Sequence, residues 1–168
     1  MGNAGGFDGN VSVTGNVTVT GTVSASDVTI AGQDFAEDFD IATTTQLEPG
    51  TVVVFDGDGA ISQCTQPYNK RAAGVISGAG NYRPGVVLGR VGAQGKGKAP
   101  VALMGRVFCK VDASYSPIEV GDMLTTSPTS GFAMRASDPS KAFGAVIGKA
   151  LAAVDEGCEL IPILVTLQ

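Results

Sequence analysis

The chain has 168 residues, no histidine, no tryptophan, three cysteines and 24 glycines, with Val, Thr and Ala filling much of the rest. That composition suits short strands and tight turns and excludes a helical bundle, and the missing histidine excludes Ser-His-Asp and Cys-His catalysis. The formal charge of −5 is uneven: residues 1–69 carry −9 with no Lys or Arg, and the remainder carries +4 without a basic run, which argues against a nucleic-acid partner.

From the N-terminus, residues 1–10 lack a basic segment followed by an apolar one, so no signal peptide is expected. No apolar run reaches the length of a membrane span, so no membrane insertion is expected either. The expectation is synthesis in the cytoplasm, with any extracellular location reached by lysis or an injection machine.

A repeat of period six follows: Gly9-Asn-Val-Ser-Val-Thr, Gly15-Asn-Val-Thr-Val-Thr, Gly21-Thr-Val-Ser-Ala-Ser. Sorted by parity, the odd positions hold Val11, Val13, Val17, Val19, Val23 and Ala25 with the three glycines, and the even positions hold only Asn, Ser and Thr. Period-two alternation gives a strand with one apolar face. After Asp27 the parity flips to Val28 and Ile30, which implies a bulge or turn.

The tract cannot bury its valines within itself. A hexapeptide solenoid takes about three hexads per coil and single coils do not stand alone, so three hexads make at most one. Three chains wound about one axis would bury every valine and close every sheet edge. The reading is a β-helical stem over residues 1–32 with Val11, Val13, Val17, Val19 and Val23 as the core of a homotrimer. The alternatives are a capping coil of a larger solenoid and a flexible polar tail.

Residues 33–45 read as a neck or linker. It holds Asp34, Glu37, Asp38 and Asp40, apolar anchors at Phe35, Phe39 and Ile41, and the run Thr43-Thr44-Thr45. Crowded carboxylates can raise one pKa and create a general acid, so Glu37 is a candidate, although surface acids are the ordinary explanation.

Residues 46–168 read as a β head of barrel or sandwich type with internal duplication, about 46–78 and 117–149. Leu47-Glu48-Pro49-Gly50-Thr51-Val52-Val53 matches Ile118-Glu119-Val120-Gly121-Asp122-Met123-Leu124, and Gly74-Val75-Ile76 matches Gly144-Ala145-Val146-Ile147, at offsets near 71. Val101–Val111 and Leu160–Leu167 read as the most buried strands, with Pro162 at a bulge or edge. Residues 140–143 are the only stretch of helical promise.

Three motifs resemble chemistry without completing it. Gly92-Ala93-Gln94-Gly95-Lys96-Gly97-Lys98-Ala99 fits a phosphate loop up to Ala99, which offers no hydroxyl for magnesium, and reads as a hairpin tip. Asp56-Gly57-Asp58-Gly59 opens like a calcium loop but lacks the later ligands, so it reads as a turn. Cys64, Cys109 and Cys158 are widely spaced and form no C-x-x-C pair, so they read as small buried hydrophobes. Neither a cofactor nor a metal is expected.

The stem, then Ala36-Glu37-Asp38-Phe39, then Glu48-Pro49-Gly50-Thr51-Val52-Val53, then Ala73-Gly74-Val75-Ile76-Ser77, resembles the C-terminal region of phage tail fibres and neck appendages. The layout over roughly residues 9–80 is similar to the autoproteolytic domain of phage neck-appendage proteins. The resemblance implies a homotrimeric virion component of a tail fibre, tail spike or related particle. Its partners would be other tail or particle proteins and a cell-surface glycan or receptor bound by the head. It also implies an alternative, a self-processing domain with Glu37, and Asp38 beside it, at the acid site. Asp38 and Asp40 depart from the family pattern, which tends to an aromatic and Glu there, and this favours a non-enzymatic role. The turn Gly121-Asp122-Met123-Leu124 is similar to capsid-decoration proteins, a third reading.

Overall fold

A computed structural model describes residues 8–42, 46–90 and 97–166. The described residues form β1 (Asp34–Asp40), β2 (Val52–Phe55), β3 (Ile61–Gln63), β4 (Ala72–Ile76), β5 (Pro84–Leu88), β6 (Lys98–Asp112), β7 (Met123–Thr126), β8 (Ala133–Arg135), α1 (Pro139–Ala142), β9 (Val146–Ala150) and β10 (Cys158–Thr166). The protein is nearly all β and contains a closed five-stranded barrel.

The barrel runs β6-β10-β9-β7-β8 and returns to β6. Its closing contact is parallel, Val111 on β6 against Ala133 on β8. Closure removes the open edges that an antiparallel sheet would otherwise expose. Alternation fills the interior: Val107, Cys109 and Val111 point inward to meet Ile161, Ile163 and Val165, with Leu124 and Ile147 in the same cluster.

The long strand β6 serves two structures. Its C-terminal half builds the barrel with β10, while its N-terminal half pairs with β1 and β4. A second apolar cluster forms there from Leu47, Val53, Ile61, Ala73, Ile76, Ala99 and Val101, with Phe39, Ile41 and Phe55 packed against it. Gly105 marks the changeover. Its φ is +103°, and a Cβ there would sit 2.5 Å from the Gln33 carbonyl oxygen and 2.8 Å from Asp34 Cα. Only glycine permits that conformation and that approach.

The hairpin β2–β3 turns through Asp56-Gly57-Asp58-Gly59, with Asp56 N–H donating to Ala60 O at 2.7 Å. The short helix α1 is capped by Asp138, whose side chain accepts from Ser140 N–H. Pro162 is at neither a bulge nor an edge: it lies mid-strand opposite Phe108 of β6, just beyond the residues that pair with β9, and its carbonyl accepts from Leu151 N–H at 3.0 Å.

The segments 46–78 and 117–149 repeat one pairing pattern. In each, a central strand (β2, β7) is flanked by a hairpin partner (β3, β8) and by a later strand (β4, β9). Gly50 N–H donates to Ile76 O at 2.8 Å, and Gly121 N–H donates to Ala150 O at 2.8 Å. The register slips between Val53 and Val54 and again between Leu124 and Thr125. The last correspondence differs from the sequence reading. Val53 pairs with Gly74 and Leu124 with Gly148, so the partner of Gly74 is Gly148 rather than Gly144. The second connection is longer, and α1 lies within it.

Two further expectations change. The stretch read as a neck is not a linker, because Asp34–Asp40 is a strand held between β5 and β6. Phe39 and Ile41 anchor it as expected, but Phe35 is 40% exposed and faces outward. The described stem residues, 8–32, form no strand in the single chain, where every residue from Asp8 to Ala31 is exposed. The run Thr43-Thr44-Thr45 and the hairpin tip at residues 92–96 lie outside the described residues.

Candidate functional site

Two features stand out: the acids of β1 and the apolar tract that leads into them. Alternation along β1 sends Asp34, Ala36 and Asp38 inward and Phe35, Glu37 and Phe39 to the other face. Glu37 and Asp38, the pair weighed for acid chemistry, therefore point to opposite sides of the strand.

Asp38 is committed elsewhere. Its carboxylate accepts from Arg90 Nε and Nη2, both at 2.8 Å, in a two-pronged ion pair with the Asp38 side chain only 2% exposed. The carboxylate beside it lifts the Arg90 pKa, chiefly through these hydrogen bonds. Asp40 faces solvent and makes a looser contact with Lys98 at 3.5 Å.

Asp34 is the unusual member. Neither carboxylate oxygen has a hydrogen-bond partner, and the buried Ser77 hydroxyl close by has none either. Burial raises the Asp34 pKa, and the Ser77 hydroxyl draws it part of the way back. These side-chain oxygens are buried. On the same side lies a cleft of about 340 Å³ lined by Leu47, Ile76, Ser77, Pro84, Arg90 and Lys98 among others. Arg90 and Ser77 lie far from β1 in the chain and carry no local sequence signal that would join them to it. Among the described residues, no group of three or more Cys, Asp or Glu side chains is placed to hold a metal.

Asp34 gives the protein a pH dependence of defined sign. Its folded pKa lies above the ordinary 3.8, so the folded chain holds this proton more tightly than the unfolded chain. Its contribution is therefore most favourable in acid and is lost as pH rises from the ordinary carboxylate value through the raised one. Asp34→Asn removes a buried charge whose polar neighbour is only the Ser77 hydroxyl and should stabilise the protein at pH 7 by about 1–3 kcal/mol. Thermal melts of the two proteins should converge near pH 4 and separate toward neutrality. A constant difference across that range would refute the assignment to Asp34 ionisation.

The tract enters at Gly32. A Cβ on Gly32 would lie 2.1 Å from Gly85 Cα, so the two backbones touch where the tract meets the start of β5. Upstream, the valines read as the stem core are open to water: Val11 64%, Val17 68% and Val23 70% exposed, with Val13 and Val19 above half. Between Asp8 and Gly32 no backbone–backbone hydrogen bond forms to any described residue. A shallow cleft of about 330 Å³ lies at the root, with apolar walls from Val28, Ile30, Phe35, Val86 and Met104.

No protein-family model matches the chain. No curated protein matches its sequence. Among the described residues no helix is long and apolar enough to cross a membrane.

Proposed function

We propose that this chain is a structural, homotrimeric component of a phage tail fibre, tail spike or related particle, with an N-terminal stem that assembles three copies and a β head that is displayed by it. The observation that carries the reading is the tract itself. It sets an unbroken apolar parity beside an uncharged polar one from Gly9 to Ser26, and in the single chain none of it is buried or hydrogen-bonded to the head. The exposed valine surface is unfavourable in water, and packing against other copies would remove it from water. A sequence without charge meets copies of itself without repulsion, which suits a symmetric bundle. The resemblance of residues 9–80 to phage appendages supports the particle context, and the head's loops would then contact a surface glycan or receptor.

Removing residues 1–32 tests this directly. The head has its own two apolar clusters and a closed barrel, so it should remain folded while the trimer is lost or strongly weakened. Native mass spectrometry and circular dichroism of the truncated chain are the measurements. A trimer of undiminished stability would overturn the role given to the tract.

A further inference from the structure

We propose that the cleft walled by Arg90, Lys98 and Leu47 is a ligand site, and that it takes the carboxylate of a small organic acid with a compact apolar body. The site lies within one copy of the chain and does not depend on assembly. The cleft holds about 340 Å³, at the lower end of the roughly 300–1,000 Å³ of small-molecule pockets. Its walls are largely apolar, with Leu47 and Ile76 among them, and its polar side chains are Gln46, Ser77, Arg90 and Lys98. An apolar lining with a few polar groups to fix orientation is the usual build of such pockets. No acidic residue is among the described residues that line it, although Asp34, Asp38 and Asp40 all stand on the neighbouring strand β1.

The cleft presents donors whose capacity is not used up. Arg90 gives Nε and Nη2 to Asp38, and among the described residues nothing accepts from its Nη1. Lys98 approaches only Asp40, at 3.5 Å, and the two side chains are 40% and 72% exposed. An exposed pair this loose is worth little, so the ammonium is free to turn to a better acceptor. Ser77 is buried in the wall with a hydroxyl that no hydrogen bond satisfies, a feature that a bound group would explain. Two cationic side chains with spare donors select an anion, and a planar guanidinium matches the plane of a carboxylate. Leu47 and Ile76 then cover a carbon body, which an inorganic anion does not have. An acidic sugar of a surface glycan and a free short-chain acid both carry this chemistry.

Isotope-labelled full-length protein titrated with methyl glucuronide and with isovalerate tests the site by NMR. At least one of the two acids should move the Arg90 Nε–H and the Leu47 and Ile76 methyl resonances together, with a Kd on the order of 1 mM or tighter. Tighter binding of the glucuronide assigns the site to a glycan, and tighter binding of isovalerate to a free acid. The neutral counterparts, methyl glucoside and isovaleramide, should bind at least about tenfold more weakly. Lys98→Gln should weaken the acid by about tenfold, whereas Asp40→Asn should tighten it severalfold, because it releases Lys98 from its competing carboxylate. A purely structural role for the pair would not send the two variants in opposite directions. If Lys98→Gln misfolds, the wild-type titrations and Asp40→Asn still decide. No response to either acid would overturn the proposal. So would neutral compounds or inorganic phosphate binding as tightly as the acids.

Discussion

Val17→Asp should dissociate the trimer, and Thr18→Asp should not. Val17 lies mid-tract on the apolar parity between Gly15 and Val19, so in the proposed threefold stem three copies would meet near the axis. Each copy loses the burial of one valine, about 1.5–3 kcal/mol, before any charge term. Three carboxylates brought into an apolar column then oppose ionisation twice, by desolvation and by mutual repulsion. Thr18 would face solvent in the proposed stem, where substitutions usually stay within about 0.5 kcal/mol. Sedimentation velocity and thermal melts of the two variants should diverge widely. Equal behaviour would mean that parity does not decide which residues meet.

The pair is informative because the isolated chain does not distinguish the two positions. Both are exposed there, and neither belongs to a strand. Any difference between the variants must therefore come from an assembled state. A flexible polar tail would tolerate both substitutions, whereas a capping coil of a larger solenoid would be sensitive only when that partner is present.

How much of this was legible in the sequence depends on how local the cause is. The turn at Asp56–Gly59 and the helical promise of residues 140–143 rest on neighbours in sequence, and the structure has the turn there and α1 at Pro139–Ala142. β1 was misread because its alternation is inverted: the residues facing inward are Asp34, Ala36 and Asp38, whereas the outer face carries Phe35. Polarity alone makes such a segment look like a solvated linker. What turns Asp38 inward is Arg90, 52 residues away, and no pattern around either residue announces the pair. Barrel closure was also out of reach, since it depends on one parallel contact between Val111 and Ala133. The match of Gly74 to Gly144 failed for a related reason. Sequence similarity ranks glycines by their flanks, whereas register follows the partner strand, and the loop holding α1 displaces one from the other. The exposed valines are the reverse case. Their parity is plain in the sequence, and the single chain provides nothing for them to pack on.

The second large effect is expected at Arg90. Arg90→Ala strands the Asp38 carboxylate, which is 2% exposed and takes both of its short hydrogen bonds from this guanidinium. Removing one partner of a buried ion pair typically costs about 3–5 kcal/mol, because the remaining charge keeps its desolvation penalty without compensation. The Arg90 side chain is 32% exposed, so the opposite change, Asp38→Ala, leaves a cation that can turn to water and should cost less. The double variant Arg90→Ala/Asp38→Ala should then recover much of the loss seen in Arg90→Ala alone, because no buried charge remains. Arg90→Lys should rescue only partly, since an ammonium cannot reproduce the two-pronged contact. Urea unfolding of the four proteins measures the cycle. A double variant less stable than Arg90→Ala would show that Arg90 acts through packing of its stem rather than through Asp38. An Arg90→Ala protein as stable as the parent would show that the pair contributes nothing to holding β1 in the sheet.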